Sequence, residues 1–160
     1  GDSRRIAVFC GSMYPEKKLD LLLAAADRIR AALPDFHLLM IGDGPGAAEV
    51  RAAAVSRPWL HVLGVRKGAD KAALFRLACV QLNPGLVGLH VLDAFSAGLP
   101  MITTARALHS PEIAYLQGGT TGLVIDDDRP EVYADAVTAL AWSRACSTVP
   151  SAPTKVGDYR

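Results

Sequence analysis

The segment that decides the fold is IAVFCGSMYPEKKLDLLLAAADRIRAAL, residues 6–33. Its first five residues are apolar and end at Gly11-Ser12, and apolar side chains then recur at helical spacing from Leu19 until Pro34. A short apolar run, a glycine loop and an amphipathic helix form the first half of a βαβ unit. This segment therefore predicts a strand, a glycine turn and a helix, in that order.

The same alternation continues along the rest of the chain. Further strands are predicted at residues 37–41, 60–65, 79–82, 101–104 and 122–125, and further helices at residues 47–55, 71–77, 88–98, 113–116 and 130–142. Continuous apolar strands separated by helices are typical of a parallel sheet that is buried on both faces. The sequence therefore predicts an α/β fold, a Rossmann-like doubly wound parallel sheet of about six strands with helices on both faces.

Length and composition limit the function classes. The chain has 160 residues, of which 51% are hydrophobic and 21% charged, and its net charge is +1. This composition is too apolar for an intrinsically disordered chain, and no apolar run approaches the roughly 20 residues of a membrane-spanning helix. Because the charges are balanced, we expect no nucleic-acid partner.

The chain is predicted to form one domain over residues 1–142. Residues 143–160 are rich in Ser, Thr and Pro and have no apolar period, which is typical of a flexible tail or linker. Since the chain begins with Gly1 rather than Met, we expect it to be part of a longer protein.

The three cysteines, Cys10, Cys79 and Cys146, have no metal-ligand spacing. Cys10 and Cys79 lie in apolar, strand-like runs, where cysteine acts as a small hydrophobic residue. We therefore expect reduced thiols, a cytoplasmic location and no metal site.

Glycines follow four of the predicted strands, at Gly11, at Gly42 and Gly44, at Gly64, and at Gly85 and Gly88. The loops at the carboxyl ends of parallel strands gather at one edge of the sheet, where glycine lets the backbone approach a phosphate. Residues 1–80 also carry 12 basic and 8 acidic side chains, a local net charge of +4. These features favour a phosphorylated ligand, although tight turns alone would also require glycine.

One loop fits a dinucleotide fingerprint, because Gly42-x-Gly44-x-x-Ala47 lies between a strand and a helix. The acidic residue that would hold an NAD ribose is absent after the next strand, which ends in Gly64-Val65-Arg66-Lys67. Only an NADP-like interpretation of this loop therefore remains.

Three groups of charged side chains are candidates for chemistry. His90 and Asp93 lie three residues apart on an apolar helix, so Asp93 either binds ligand hydroxyls or belongs to a structural pair. Lys17 stands at a helix start, where the dipole disfavours a cation, so we expect it to meet an anion and its neighbour Lys18 to be solvated. The run at residues 126–128, three aspartates, is predicted to be a solvated loop.

Taken in order, these pieces resemble a known family. The matching residues are Gly11 with Lys17, Gly42-Asp43-Gly44-Pro45, Gly64, Pro84 with Gly88-Leu89, Gly98-Leu99-Pro100, Pro111-Glu112, and Gly118 with Gly122. The order and spacing are similar to those of the C-terminal, donor-binding domain of glycosyltransferase family 4, which has the GT-B architecture of two Rossmann-like domains. The resemblance covers residues 6–140.

The chain departs from the family pattern at three positions. Ser12 stands where the family usually has Arg, and Gly85 stands where it has the first of two Glu residues eight apart. Asp93 replaces the second Glu and keeps a carboxylate. The string Asn83-Pro84-Gly85-Leu86-Val87-Gly88-Leu89 looks like a variant subgroup with a Pro-Gly-x-Val-Gly-Leu loop.

The resemblance implies a retaining glycosyltransferase in which this domain binds a nucleotide-diphosphate sugar and needs no further cofactor. The donor-binding residues would be Gly11, Ser12, Gly42, Gly44, Val65, Gly85, Val87, Gly88, Leu89, His90 and Asp93, and the catalytic residues Lys17 and Asp93. The acceptor, a glycan, lipid or small molecule, would bind an N-terminal domain outside this chain, and any membrane association would occur through that domain. The isolated domain is expected to be inactive.

Two alternatives to this transferase remain open. The departures at Ser12 and Gly85 allow a noncatalytic module that binds a nucleotide or sugar nucleotide. The loop from Gly42 to Ala47 allows an NADP-binding oxidoreductase domain.

Overall fold

The computed structural model describes residues 5–85, 98–104 and 122–144. Six strands and four α-helices lie in these ranges: β1 Arg5–Cys10, α1 Leu19–Ala32, β2 Phe36–Ile41, α2 Ala47–Ala54, β3 Leu60–Gly64, α3 Gly68–Leu77, β4 Val80–Leu82, β5 Met101–Thr104, β6 Gly122–Ile125 and α4 Pro130–Arg144. A short 3₁₀ turn, Pro15–Lys17, precedes α1. The predicted helices at residues 88–98 and 113–116 and the tail from residue 145 fall outside the described residues, apart from Gly98.

The six strands form one sheet in the order β3-β2-β1-β4-β5-β6. Every pair of neighbouring strands is parallel. The direction in which strands are added reverses between β1 and β4, and ligands of doubly wound sheets bind outside the carboxyl ends of the strands at such a point. The predicted Rossmann-like α/β fold of six strands is confirmed.

Both faces of the sheet are buried, as the continuous apolar strands predict. One face packs against α1, α2 and α4, and the residues buried there include Phe9, Leu22 and Val137. The opposite face packs against α3, where Val8 and Phe75 are buried. Successive residues of β1 therefore serve two different cores, which explains why the strand has no polar face.

Helix α4 is attached to the sheet through a fully buried tyrosine. Tyr133 is 0% exposed, and its hydroxyl donates a hydrogen bond to the backbone carbonyl of Ile102 in β5. Burial raises the pKa of Tyr133 well above its usual value, so the hydroxyl keeps the proton that it donates. None of the described helices has the length and apolar character needed to cross a membrane.

The cysteines differ from the sequence-based expectation. Cys10 is a buried, reduced thiol, but Cys79 is disulfide-bonded. The prediction of reduced thiols is therefore wrong for Cys79, and the cysteines no longer support a reducing compartment.

Gln81 is a polar residue in the middle of the sheet. It is 0% exposed, and neither its amide nitrogen nor its amide oxygen has a hydrogen-bond partner among the residues that the structure describes. It lies between Val8 of β1 and Met101 of β5 in the strand register. Because a buried amide without a partner loses its hydration without compensation, Gln81 lowers the stability of the empty domain.

We expect Gln81→Met to raise the free energy of unfolding by about 1–3 kcal/mol, since methionine has a similar volume and no polar group to desolvate. Urea denaturation followed by circular dichroism measures this change. Gln81→Asn keeps an amide and is the matched control, which should not stabilise the domain. A loss of stability in Gln81→Met would show that the amide is satisfied in solution.

Candidate functional site

The first three glycine loops lie side by side at the carboxyl edge of the sheet. The backbone N–H of Gly11 donates to the carbonyl of Ile41 at 3.0 Å, and the N–H of Gly42 donates to the carbonyl of Gly64 at 2.8 Å. The loops after β1, β2 and β3 are therefore joined in sequence across the edge, which brings together Gly11, Gly42 and Gly64 as the topology predicts.

The glycines of the second loop are required by close packing. A Cβ atom on Gly42 would lie 1.9 Å from the carbonyl oxygen of Gly11, and one on Gly44 would lie 2.8 Å from the backbone nitrogen of Met13. Two further hydrogen bonds join these loops, from the N–H of Met13 to the carbonyl of Asp43 at 2.9 Å and from the N–H of Gly46 to the carbonyl of Met13 at 2.8 Å. Contact between loops explains Gly42 and Gly44 without a ligand.

The backbone N–H groups that the sequence predicts to bind phosphate donate hydrogen bonds within the protein. The N–H of Gly44 donates to the Asp43 carboxylate at 2.8 Å, and those of Gly11 and Gly42 donate to backbone carbonyls. In this conformation, these three N–H groups are directed at protein acceptors rather than at a ligand. That the Gly11 and Gly44 backbones offset phosphate charge stays a prediction.

The loop after β3 is exposed at the same edge. Val65 is 58% exposed, and Arg66 and Lys67 are also exposed. The Nε of Arg66 donates to the carbonyl of Leu63 at 2.9 Å, which fixes part of its guanidinium. Ser12, after β1, is exposed as well. Val65 and Ser12 thus lie where a ligand at this edge could contact them.

The two adjacent lysines have different environments. Lys17 ends the 3₁₀ turn and is 6% exposed. Lys18 has a left-handed backbone conformation with φ 53°, and its Nζ lies 3.2 Å from Oδ1 of Asp128. Lys18 is partly exposed and forms an ion pair that joins the start of α1 to the loop before α4, a contact that the sequence did not predict.

The aspartates before α4 are also more ordered than predicted. Asp127 accepts a hydrogen bond from the N–H of Arg129 at 2.8 Å and pairs with its guanidinium at 3.0 Å. With Asp128 bound to Lys18, two of the three aspartates take part in ion pairs. The loop is exposed at Asp126 and Asp128, as predicted, while the ion pairs of Asp127 and Asp128 are a feature that the sequence did not predict.

Burial is the main cause of the altered pKa of Lys17. Removal from water lowers the pKa of Lys17, and Cys10 at the end of β1 makes a smaller contribution in the opposite direction. A lowered lysine pKa means that the charged form is less stable in the folded protein than in water. An anion brought close to this ammonium would stabilise its charged form.

The loop after β4 contacts the turn that contains Lys17. Gly85 is buried there and lies against the backbone of Glu16 and Lys17. The sequence did not predict this contact, nor the proximity of Cys10 to Lys17. Val87, Gly88, Leu89, His90 and Asp93 are predicted site residues that lie outside the described residues.

The described ranges hold no group of three or more His, Cys, Asp or Glu side chains that could bind a metal ion. Binding of a ligand without metal stays a prediction.

We expect Lys17→Met to be more stable than the wild type near pH 7, because the substitution removes a desolvated charge and keeps the apolar stem. The pKa of Lys17 is lowered on folding, so the penalty is complete below its folded pKa and decreases as the pH rises from there to the ordinary lysine pKa. The stability difference between the proteins should therefore shrink at alkaline pH. Urea denaturation at several pH values measures it, and a variant less stable than the wild type at pH 7 would contradict the interpretation.

Comparison with known proteins identifies the family. Residues 4–142 match the family described as glycosyl transferases group 1. A sulfoquinovosyl transferase of Arabidopsis thaliana is 30% identical over 139 residues, which are 84% of this chain and 26% of the relative. The chain thus spans about a quarter of the length of this curated relative.

Solved structures share the fold. S. aureus TarM, in a crystal structure with UDP, superposes with a TM-score of 0.75 at 14% identity, covering 86% of this chain and 28% of that one. The C-terminal domain of a group 1 glycosyl transferase from Francisella tularensis has a TM-score of 0.66 at 17% identity, covering 89% of this chain and 80% of that one. On the match over residues 4–142, this chain belongs to the glycosyl transferases group 1 family.

Proposed function

We propose that this domain binds the nucleotide-diphosphate sugar of a retaining family 4 glycosyltransferase with GT-B architecture. The observation that carries the proposal is the position of Lys17, a buried lysine at the carboxyl edge of the sheet where the strand order reverses between β1 and β4. A doubly wound sheet binds nucleotides at this point, and Lys17 places a cation there. The family and the UDP bound by TarM support the same ligand class.

Lys17 supplies the electrostatic part of the proposed reaction. In sugar transfer, the bond between the anomeric carbon and the diphosphate oxygen breaks, and the leaving nucleoside diphosphate keeps the electron pair. A positive charge held beside this oxygen stabilises the charge that develops, and its effect is large because the site excludes water. Lys17 is 6% exposed, so little reorganisation of solvent accompanies this stabilisation. The mechanism requires no metal.

We also propose contacts between the donor and several other residues. Asp93 would hold the ribose hydroxyls, and the exposed Val65 and Ser12 would contact the donor at the edge of the sheet. Val87, Gly88, Leu89 and His90 would complete the site as the Pro-Gly-x-Val-Gly-Leu variant of the family loop. Gly85 supplies no carboxylate, so donor recognition at that position differs from the usual family arrangement.

The acceptor is proposed to bind a separate N-terminal domain. The matched region covers 26% of the Arabidopsis relative, and the similar Francisella structure is a C-terminal domain. A glycan, lipid or small-molecule acceptor, and any contact with a membrane, would therefore belong to the other domain. We expect the isolated domain to bind the donor without transferring its sugar.

A noncatalytic nucleotide-binding module is the second candidate. It is favoured by Ser12 and Gly85, because both lack the charged side chain that the family usually places beside the donor. An NADP-dependent oxidoreductase is not favoured, since the N–H groups of Gly42 and Gly44 donate hydrogen bonds to acceptors within the protein.

Isothermal titration of the domain with UDP, GDP, ADP and NADP, each with magnesium and with EDTA, tests the proposed ligand. We expect binding of UDP or GDP that survives EDTA. Lys17→Met should weaken it by about 1–3 kcal/mol, as expected for one charge-assisted contact. Lys18→Met is the matched control and should leave the affinity unchanged, because Lys18 pairs with Asp128.

Three results would contradict parts of this proposal. Binding that disappears in EDTA would contradict the metal-free site. Equal effects of Lys17→Met and Lys18→Met would indicate general electrostatic attraction rather than a specific contact. Binding of NADP alone would contradict the transferase.

The proposed role of Asp93 has a separate test. If Asp93 holds ribose hydroxyls, Asp93→Asn should reduce the affinity for UDP more than for its deoxyribose analogue and leave the melting temperature unchanged. If the carboxylate instead belongs to a buried ion pair, removing its charge should cost about 3–5 kcal/mol of stability. Calorimetry with both nucleotides and thermal denaturation separate these roles. A destabilised variant with an unchanged affinity ratio would refute the ribose contact.

A further inference from the structure

The glycine at position 85 is a contact point, and it leaves no room for a side chain. A Cβ atom there would lie 2.1 Å from the carbonyl oxygen of Glu16 and 2.3 Å from the carbonyl carbon of Lys17. Both atoms belong to the backbone, so no rotation of a side chain can relieve the overlap. Gly85 therefore sets how closely the loop after β4 approaches the Pro15–Lys17 turn.

The same loop is held from its other side by β5. Oγ1 of Thr104 donates to the carbonyl of Pro84 at 2.7 Å, and Oγ1 of Thr103 donates to the carbonyl of Gly85 at 3.3 Å. Both threonines are 0% exposed. The bond from Thr104 is the shorter, and a buried hydrogen bond is costly to lose because water cannot replace it. Thr104 therefore contributes most to holding Pro84 and Gly85 in place.

These contacts form a continuous chain from the sheet to the buried cation. Thr104 fixes Pro84, Gly85 follows it, and Gly85 touches the backbone of Lys17, whose side chain is only 6% exposed. A displacement of the loop would thus move the lysine directly. The position of a charge decides its electrostatic effect, and small displacements from a productive geometry are costly.

We propose that Pro84, Gly85 and Thr104 form a clamp that positions Lys17 for the diphosphate of the donor. Gly85 and Thr104 are positioning residues that act through Lys17, and this inference rests on the proposed function. The clamp also explains the glycine at position 85, where the family has a glutamate. Introducing that carboxylate by Gly85→Glu would displace the lysine turn, so it should weaken diphosphate binding rather than restore a donor contact.

The experiment compares Thr104→Val, Thr104→Ser, Gly85→Ala and Gly85→Glu with the wild type. Thr138→Val is the matched control. Oγ1 of Thr138 donates to the backbone carbonyl of Ala134 within α4 at 2.9 Å, and Thr138 is not part of the clamp. Two quantities are measured on each folded variant. The first is the rate at which an acylating reagent modifies Lys17 in the empty domain, relative to the exposed Lys67, by peptide mass spectrometry. The second is the affinity for UDP and GDP by calorimetry.

We expect Thr104→Val to expose Lys17, with acylation about fivefold faster and diphosphate binding about tenfold weaker, which corresponds to the loss of one buried hydrogen bond. Thr104→Ser retains the hydroxyl and should restore both quantities toward wild-type values. Gly85→Ala and Gly85→Glu should give effects at least as large. Thr138→Val should change neither, even if it lowers the melting temperature as much as Thr104→Val does.

The proposed clamp is contradicted if Thr104→Val gives the same results as Thr138→Val in both measurements. It is also contradicted if folded Gly85→Ala leaves Lys17 as protected from acylation as in the wild type. If the glycine variants do not fold, the comparison of Thr104→Val with Thr104→Ser decides the question. Failure of the wild type to bind UDP or GDP would refute the proposed function instead. Acylation of Lys17 in the empty domain would still decide whether the clamp holds the lysine.

Discussion

Burial of the Lys17 ammonium is the constraint on which the rest of this site depends. Taking a cation out of water is unfavourable, and its pKa is lowered as a result. The protein nevertheless holds this side chain at 6% exposure, at the point where the strand order of the sheet reverses. In the proposed function, this burial places a positive charge beside the diphosphate of the donor.

Close packing accounts for three of the glycines at this edge. Gly42 and Gly44 allow the first two loops to touch, and their N–H groups donate hydrogen bonds within the protein. Gly85 allows the loop after β4 to reach the lysine turn. These contacts alone are enough to require glycine at the three positions.

One ion pair and one buried hydrogen bond join the elements next to the site. Lys18 joins the start of α1 to Asp128 before α4, and Tyr133 joins α4 to β5 through the carbonyl of Ile102. Lys17 precedes α1 and Thr104 ends β5. The contacts that hold α1, α4 and β5 together therefore also limit movement around the site.

The fold could be predicted from the sequence, because apolar strands separated by amphipathic helices can be buried only in a parallel sheet covered on both faces. The shared edge of the first three glycine loops followed from the same pattern, and the proposed role of Lys17 began from its position just before a helix. Only the tertiary structure decided which of the paired lysines forms the Asp128 bridge and that Gly85 touches the lysine turn. These contacts join residues 68 to 110 positions apart, and their distances depend on how whole loops pack, which neither periodicity nor local propensity encodes.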